Sequence, residues 1–279
     1  MMLTNEQLRE FHAQGCLVLE NAFTRSQIES VKQAARGIVG DFDISRHRSV
    51  FTTRDRDAGR DEYFLQSAEG VHCFLEEGAL DEQGELNRPK EVAINKIGHA
   101  LHDLVPEFTA FCRLPLIGQA LRDIGYRKPL LWQTMYIFKQ PGIGGEVRWH
   151  QDASYLHSAA PGVTGIWVAI EDATRENGCL WMQPGQQRSP LREIYEMDWS
   201  SRSGTLNTLD DTPWTVGEAV AMEVPAGSAV LFADRIPHYS SQNRSDKSRH
   251  AFTMHIAESG AAWSAKNWLQ RPKLGAFEL

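Results

Sequence analysis

The segment Trp149-His150-Gln151-Asp152 has the residue types and the spacing that can bind a metal ion. In an extended strand, residues i and i+2 point to the same face, so His150 and Asp152 present a nitrogen and a carboxylate together. A third ligand is expected from a neighbouring strand end, and His238, which follows the apolar run SAVLFA, is the best candidate. Two histidines and one carboxylate leave coordination positions open, as in the facial triad of non-haem Fe(II) oxygenases.

Arg249 opens the apolar run RHAFTMHIAE, a short distance after His238. A guanidinium at the start of a strand can hold a carboxylate through two hydrogen bonds. An iron triad with such an arginine is what a 2-oxoglutarate site needs, because the keto acid end binds the metal and the distal carboxylate needs a cation. Ser240, two residues after His238, shares its face and would add a hydroxyl donor. The alternative for Arg249 is an ordinary surface ion pair.

Longer stretches of the chain share a pattern with known proteins. They are LREFHAQGCLVLENAF (8–23), INKIGHALH (94–102), MYIFKQP (135–141), GGEVRWHQDASYL (144–156), EDATRENGCLWMQPG (171–185), H-x-S-x-x-N-x-S-x-x-x-R (238–249) and NWLQRP (267–272). Together they resemble the phytanoyl-CoA dioxygenase (PhyH) family of Fe(II)/2-oxoglutarate oxygenases, above all its phytanoyl-CoA dioxygenase domain-containing protein 1 group. The resemblance covers nearly the whole chain.

The resemblance implies a fold and a set of site residues. The fold is a double-stranded β-helix, a jelly-roll barrel of the cupin type, and the iron ligands are His150, Asp152 and His238. The residues implied to bind 2-oxoglutarate are Lys96, Met135, Gln151, Trp167, Ser240 and Arg249.

Several of these residues also have a structural interpretation. Lys96 lies between apolar residues and could be a lysine whose ammonium reaches the surface. Met135 and Trp167 lie in apolar runs, where core packing is the usual role. Gln151 points away from the face shared by His150 and Asp152 if the strand is regular.

The resemblance further implies an activity. It is the hydroxylation of an unactivated carbon of a small molecule, with consumption of O2, release of succinate and CO2, and ascorbate as reductant. Desaturation, epoxidation and ring chemistry stay open, as does the substrate, which is either a CoA thioester or a free small molecule. The candidate substrate contacts are Arg148, Trp149 and Tyr155.

Three other functions are compatible with parts of the pattern. A metal-dependent hydrolase could use the same three ligands but has no need for Arg249 or Ser240. Metal-dependent oxidation without 2-oxoglutarate would also leave that arginine unexplained. A non-catalytic barrel that binds a ligand would have no reason to keep both the triad and the arginine.

Two further features bear on the substrate. Where many relatives have P-G-S-H, this chain has Pro184-Gly185-Gln186-Gln187, and we expect this loop at the mouth of the pocket. The charged stretch 46–60 is expected to form a loop or mobile flap. Its arginines could hold CoA phosphates, although the interleaved acids favour a solvated loop. These arginines are Arg46, Arg48, Arg54, Arg56 and Arg60.

The elements that position the site differ between the two parts of the chain. The first third is predicted to be helical, with capping boxes at Thr4–Gln7 and Thr24–Gln27 and apolar residues three and four apart. We expect a strand at 15–19 and helices near 95–104 and 115–124.

From residue 130 onward, short apolar runs alternate with Gly, Pro and Asn turns, which is typical of β structure. The runs are LLWQTMYIFKQ, EVRWHQDASYL, TGIWVAIEDA, GCLWMQ, AVAMEV, SAVLFA and RHAFTMHIAE. Short strands without long intervening helices favour a sandwich or jelly-roll barrel. We predict one domain over 1–279, with an all-β core at about 129–279 and a helix-rich part at about 1–128 that buttresses it.

The composition excludes several classes of protein. The 279 residues are 42% hydrophobic and 23% charged, which is ordinary for a globular chain. A formal charge of −7 gives no electrostatic case for nucleic acid or anionic membranes, and no apolar run is long enough to span a bilayer. The four cysteines are scattered, so neither a disulfide framework nor a zinc ribbon is indicated. Without an evident signal peptide, a soluble cytoplasmic protein is expected; its oligomeric state is not predicted.

Overall fold

A computed structural model describes residues 2–52 and 61–279 of the chain. The α-helices are α1 (Asn5–Gln14), α2 (Arg25–Asp41), α3 (Glu62–Gln66), α4 (Leu101–Leu104), α5 (Pro106–Cys112) and α6 (Pro115–Asp123). The strands are β1 (Cys16–Leu19), β2 (Val71–Leu75), β3 (Ile94–His99), β4 (Pro129–Ile137), β5 (Val147–His150), β6 (Val163–Ala169), β7 (Leu180–Met182), β8 (Glu193–Asp198), β9 (Ser203–Thr208), β10 (Val220–Met222), β11 (Ala229–Ala233), β12 (His238–Ser240), β13 (Ala251–Glu258) and β14 (Phe277–Glu278).

The predicted N-terminal elements are confirmed. Both capping boxes form, with the threonine hydroxyl accepting from the glutamine N–H and the glutamine side chain accepting from the threonine N–H. Helix α1 ends at Gly15, whose φ of 71° is the left-handed conformation that glycine adopts most readily. The chain then enters β1.

Two antiparallel sheets face each other. The larger sheet has the order β1-β11-β6-β13-β4-β3-β2, with β14 also pairing with β4, and the smaller has the order β10-β7-β12-β5. The chain passes from β4 to β5, β6 and β7, and later from β10 to β11, β12 and β13, changing sheet at each step. This is the connectivity of a jelly roll, so the predicted fold class is confirmed. Within the described ranges, hydrogen bonding does not join the two sheets into a closed barrel.

Alternating residues of β6 show how the larger sheet separates two apolar layers. Ile166 and Val168 pack in one cluster with residues of α2, α5 and α6, whereas Trp167 and Ala169 pack with residues of the smaller sheet. The helices therefore cover the outer face of the larger sheet, and the space between the sheets is left for the inward-facing side chains.

Three elements differ from the prediction. The segment 95–104 is not one helix, because 94–99 pairs with β4 as strand β3, with Lys96 opposite Ile137, and only 101–104 is helical. Pairing with a long neighbouring strand prevails over a helical pattern interrupted by Gly98. The hairpin β8–β9 and strand β2 were not predicted.

The predicted flap is described only in part. Arg46 forms an ion pair with Asp43, and Arg48 makes bidentate hydrogen bonds to the carboxylate of Glu85. Arg54, Arg56 and Arg60 lie outside the described residues. No helix in the described ranges is long and apolar enough to cross a membrane.

Candidate metal and co-substrate site

The structure brings His150, Asp152 and His238 together at one end of the smaller sheet. His150 is the last residue of β5 and lies directly opposite His238, the first residue of β12. Asp152 begins a short 3-10 turn, but Gln151 is extended (φ −120°, ψ 134°), so Asp152 still faces the same way as His150. Asp152 Oδ1 lies 3.6 Å from Nε2 of each histidine.

Backbone contacts orient both imidazoles. His150 Nδ1 lies 2.9 Å from the Arg148 carbonyl oxygen, and His238 Nδ1 lies 2.9 Å from that of Ile236. A carbonyl only accepts, so each Nδ1 carries a proton and Nε2 is the nitrogen that can bind a metal. Burial, followed by the proximity of His150, lowers the pKa of His238 to about 4, which keeps that ring neutral. These are the tautomers that metal ligation requires.

His255 and Gln133 hold the carboxylate of Asp152. His255 Nε2 donates to Asp152 Oδ2 over 3.1 Å, while His255 Nδ1 lies 3.0 Å from Gln133 Nε2. Burial alone would raise the pKa of Asp152, but the neighbouring His255 and His238 hold it well below its usual range. Oδ1 is therefore the oxygen left to face the two histidine nitrogens.

The donor set fits Fe(II). The three ligand atoms lie within 4.8 Å of one another, and they comprise two imidazole nitrogens and one carboxylate oxygen on adjacent strand ends. A metal bound by three protein atoms on one side keeps further coordination positions for other ligands.

Arg249 is buried with one nitrogen unpaired. Its Nε donates to the Gly178 carbonyl over 3.1 Å and its Nη2 to Ser240 Oγ over 3.3 Å, but Nη1 has no hydrogen-bond partner among the described residues. Burial lowers its pKa to about 10, so the group stays charged at neutral pH. A buried cation with an open donor is costly unless an anion binds it, which fits the distal carboxylate of 2-oxoglutarate.

Trp167 lies beside this guanidinium, and Thr253 is paired with Trp167 on the neighbouring strand. The Trp167 ring centroid is 5.4 Å from Arg249 Cζ, and Trp167 pairs with Thr253 across β6 and β13. Thr253 Oγ1 is also buried without a partner within the described part of the chain. Thr253 pairs on its other side with Met135, so the side chains of Trp167, Thr253 and Met135 share the inner face of the sheet.

Lys96 and Met135 form a second group. Lys96 Nζ lies 3.9 Å from Met135 Sδ and 3.4 Å from the centroid of the Phe51 ring. Lys96 is buried, with 4% of its surface exposed, so its charge is kept near the site and does not reach bulk solvent.

Lys96 and Met135 border a cavity of about 230 Å³ that reaches His150 and Asp152, whereas Arg249, Trp167 and Thr253 lie outside its described lining. Lys96 and Met135 line it together with Gln133 and His255. Apolar and aromatic side chains form much of the remaining described wall, namely Phe51, Phe64, Phe74, Tyr155, Leu156, Tyr195, Leu206 and Trp268.

The structure does not bring Gln151 to this cavity. Its amide nitrogen donates to the carbonyls of Pro190 and Arg235, and its oxygen accepts from the Arg192 N–H. All three partners belong to loops outside the described cavity lining, which agrees with the outward direction that strand alternation gives to this position. Gln151 fixes the backbone between His150 and Asp152.

The candidate substrate contacts lie in different places. Tyr155 lines the cavity. Arg148 lines it too, but its guanidinium makes two hydrogen bonds to Glu193, at 2.9 and 2.8 Å. Trp149 points to the other face of the smaller sheet, where its ring stacks on Tyr239 at 5.4 Å.

The loop 184–187 is not at the mouth of this cavity, contrary to expectation. The Gly185 N–H donates to the Gln14 carbonyl, and Gln187 Nε2 donates to the carbonyls of His12 and Ala13. The glutamine side chain therefore caps the last turn of α1 and takes no part in the cavity wall as described.

Gln133, Thr253 and His255 were missed by sequence reasoning. Strand alternation could have found them, because His255 and Thr253 lie at even spacings from Arg249, and Gln133 lies two residues before Met135. Which of these side chains meet depends on the register between β4 and β13, which pairs Gln133 with His255.

Comparison with known proteins gives consistent matches. Residues 11–251 match the family model Phytanoyl-CoA dioxygenase (PhyH). The chain is 39% identical to "Phytanoyl-CoA dioxygenase" of Arabidopsis thaliana over 98% of this chain and 95% of that protein. It is 40% identical to "Phytanoyl-CoA dioxygenase domain-containing protein 1" of Mus musculus over 96% of this chain and 95% of that protein.

A solved structure shares the fold. The epimerase SnoN, in complex with Fe3+, alpha ketoglutarate and nogalamycin RO, superposes with a TM-score of 0.65 at 15% identity, covering 98% of this chain and 92% of that one. At this identity the likeness establishes the jelly-roll fold and nothing about the substrate.

Proposed function

This chain belongs to the phytanoyl-CoA dioxygenase family of Fe(II)- and 2-oxoglutarate-dependent oxygenases, and from that premise we propose that it hydroxylates a small molecule. The reaction consumes O2 and 2-oxoglutarate and releases succinate and CO2. Ascorbate keeps the iron reduced between turnovers.

The observation that carries the proposal is the unpaired Nη1 of Arg249, whose guanidinium contacts Ser240 on the strand that begins with the metal ligand His238. A hydrolase that activates water on a metal has no use for a buried cation with an open donor. A dicarboxylate co-substrate supplies an anion for the guanidinium and a second group for the metal.

In this proposal, His150, Asp152 and His238 hold Fe(II), and the iron supplies the activation of O2 that no side chain can perform. His255 keeps Asp152 facing the metal through one oxygen. The backbone carbonyls of Arg148 and Ile236 keep both imidazoles in the tautomer that binds.

The remaining proposed residues bind and orient 2-oxoglutarate. Arg249 takes the distal carboxylate through Nη1. Ser240, predicted as a further co-substrate contact, accepts from Arg249 Nη2 and donates to the Gly178 carbonyl, so it holds the guanidinium in place. Trp167 and Met135 form apolar walls of the co-substrate site. Lys96 contributes a positive charge at the cavity end of the site. Gln151, predicted from the resemblance as a co-substrate contact, acts through the backbone that it fixes.

The cavity wall decides what reaches the metal. Its aromatic and aliphatic side chains exclude water and hold the carbon to be oxidised close to the iron site. The protein therefore contributes orientation and shielding, and the cofactor contributes the oxidation chemistry.

The test is to incubate the purified protein with Fe(II), 2-oxoglutarate and ascorbate in air and to measure succinate. We expect slow succinate formation without added substrate, dependent on both Fe(II) and 2-oxoglutarate. The Asp152→Ala variant abolishes it, whereas Asp211→Ala, which removes an exposed aspartate outside the described cavity lining, leaves it unchanged.

A binding measurement accompanies the assay. Fe(II) with 2-oxoglutarate at 100 times its Kd should raise the free energy of unfolding by about 2.7 kcal/mol. Absence of both succinate and stabilisation would contradict the proposed function.

A further inference from the structure

We infer that the substrate is a compact, largely apolar molecule with an N–H or O–H group, and that Gln133 Oε1 accepts the hydrogen bond from it. The inference rests on the function proposed above and specifies the substrate class of that site. Gln133 lies in the cavity wall, and it is linked through His255 to the metal ligand Asp152.

The orientation of the Gln133 amide follows from the chain of hydrogen bonds that begins at the metal ligand. Gln133 Nε2 lies 3.0 Å from His255 Nδ1, and because an amide nitrogen only donates, Nδ1 is the acceptor. The N–H of the ring is then on His255 Nε2, which donates to Asp152 Oδ2 over 3.1 Å. The Gln133 oxygen is consequently turned away from His255.

That oxygen has no hydrogen-bond partner in the described part of the chain, and Gln133 is only 5% exposed. Buried carbonyl oxygens are normally paired, so an unpaired one in a cavity wall indicates a donor from a ligand. The co-substrate cannot supply it, because 2-oxoglutarate is a dianion at neutral pH and carries acceptors only. A substrate with an N–H or O–H group can.

The size and lining of the cavity restrict the rest of the molecule. A volume of about 230 Å³ is roughly one and a half times that of a protein cavity that binds benzene. Much of the described wall is apolar or aromatic, including Phe64, Phe74, Leu156, Leu206 and Trp268. The part of the substrate enclosed here is therefore of one- or two-ring size and mainly apolar.

The cations in the described lining are already engaged. Arg148 makes two hydrogen bonds to Glu193, and Lys96 Nζ lies over the Phe51 ring. Releasing Arg148 for an anionic substrate would break both of its hydrogen bonds to Glu193, which is only 7% exposed. An uncharged substrate body is favoured for this reason.

The experiment compares two isomers of equal size, 3-methylindole, which has an N–H donor, and 1-methylindole, which has none. Their Kd values are measured by ligand-detected NMR without O2, on the full-length protein saturated with Fe(II) and 2-oxoglutarate. We expect 3-methylindole to bind about tenfold more tightly, since the donor satisfies an otherwise unpaired acceptor. In Gln133→Leu the ratio falls to about one, mainly because 3-methylindole binds less tightly.

The control variant is Gln183→Leu, which removes another buried glutamine outside the described cavity lining and should keep the tenfold ratio. The isomer comparison on the wild-type protein does not depend on whether Gln133→Leu folds. Equal affinity of the two isomers in the wild type, no binding of either, or a ratio that persists in Gln133→Leu would each overturn the inference.

Failure of the proposed function gives a different result. Binding of Fe(II) and 2-oxoglutarate is measured by calorimetry on the same preparations. If neither binds while the isomers are still distinguished, the proposed function fails and the ligand class stands. If both bind and the isomers are not distinguished, the proposed function stands and the ligand class fails.

Discussion

Arg249 is buried, charged at neutral pH and hydrogen-bonded through two of its three nitrogens. Arg249→Ala should raise the 2-oxoglutarate concentration needed for half-maximal succinate formation about 10- to 100-fold, because a charge-assisted contact to the carboxylate is lost. Fe(II) affinity, measured by titration without co-substrate, should change much less. Arg175→Ala, which breaks an exposed pair with Glu223, is the control and should change neither. An equal loss of metal and co-substrate affinity would contradict the role of Arg249.

His255 contacts the metal ligand Asp152, and its effect on metal binding is exerted through this contact. His255→Ala should weaken Mn(II) or Co(II) binding about 10- to 100-fold, because Asp152 loses the donor that orients it. His255→Gln, which keeps a donor, should restore part of the affinity. Titration of the metal-free proteins with Mn(II) or Co(II) measures the affinity of both variants. His12→Ala, which removes an exposed histidine, is the control and should keep the wild-type affinity. Unchanged metal affinity in His255→Ala would show that Asp152 is oriented by other contacts.

We expect the free energy of unfolding to depend on pH through His250, a buried histidine that is not one of the metal ligands. Burial lowers its pKa to about 4, against the nearby charge of Glu171, while Tyr136 Oη lies 3.0 Å from its Nδ1. The unfolded chain therefore binds a proton between about pH 6.5 and pH 4 that the folded chain does not, so stability is lost as the pH falls through this range. The full contribution is up to about 3 kcal/mol.

Urea unfolding of the wild type and of His250→Gln between pH 7 and pH 4 measures this effect. We expect the free energy of unfolding to fall less steeply with acid in the variant, which keeps an acceptor for Tyr136 but no titratable ring. Parallel curves for the two proteins would show that His250 does not contribute to acid sensitivity.

At the scale of elements, local signals were sufficient where a side chain caps or alternates within its own segment. The capping boxes at Thr4 and Thr24 and the pairing of His150 with Asp152 on one face follow from spacing alone. Local patterns do not predict strand β3, since its structure depends on pairing with β4. Local patterns also do not predict the contact between Gln133 and His255, because it depends on the register of strands that are distant in sequence.

Gly165 of β6 shows how cross-strand packing reaches the site. A Cβ at this position would lie 2.5 Å from the Phe232 ring of β11, and that ring lies 4.9 Å from the ring of His238. Gly165→Ala should therefore lower the free energy of unfolding by about 1–3 kcal/mol and weaken metal binding, because Phe232 must shift toward His238.

Gly37 of α2 provides the matched comparison. It is exposed, with no atom within 4 Å of an added Cβ, so Gly37→Ala should stabilise the protein by about 0.5–1 kcal/mol. Denaturant unfolding measures both variants. Equal effects of the two substitutions would show that Phe232 accommodates the methyl group without cost.

At the scale of the whole molecule, the site depends on the jelly-roll connectivity. The chain changes sheet between β4 and β5 and again between β11 and β12, which places His150 beside His238 and lets Arg249 contact Ser240 on the same strand as His238. Composition and strand patterning favoured this fold class, and the motif resemblance implied which residues meet. The unpaired atoms of Arg249, Thr253 and Gln133 are visible only once all strands are assembled.

The central claim is that the chain uses O2 to oxidise 2-oxoglutarate at the site formed by His150, Asp152 and His238. Incubation with Fe(II), ascorbate and 2-oxoglutarate under ¹⁸O2, followed by mass spectrometry of succinate, tests it most directly. We expect succinate with one ¹⁸O atom in the new carboxylate, formed by the wild type and not by Asp152→Ala. Succinate without the label, or none at all, would contradict it.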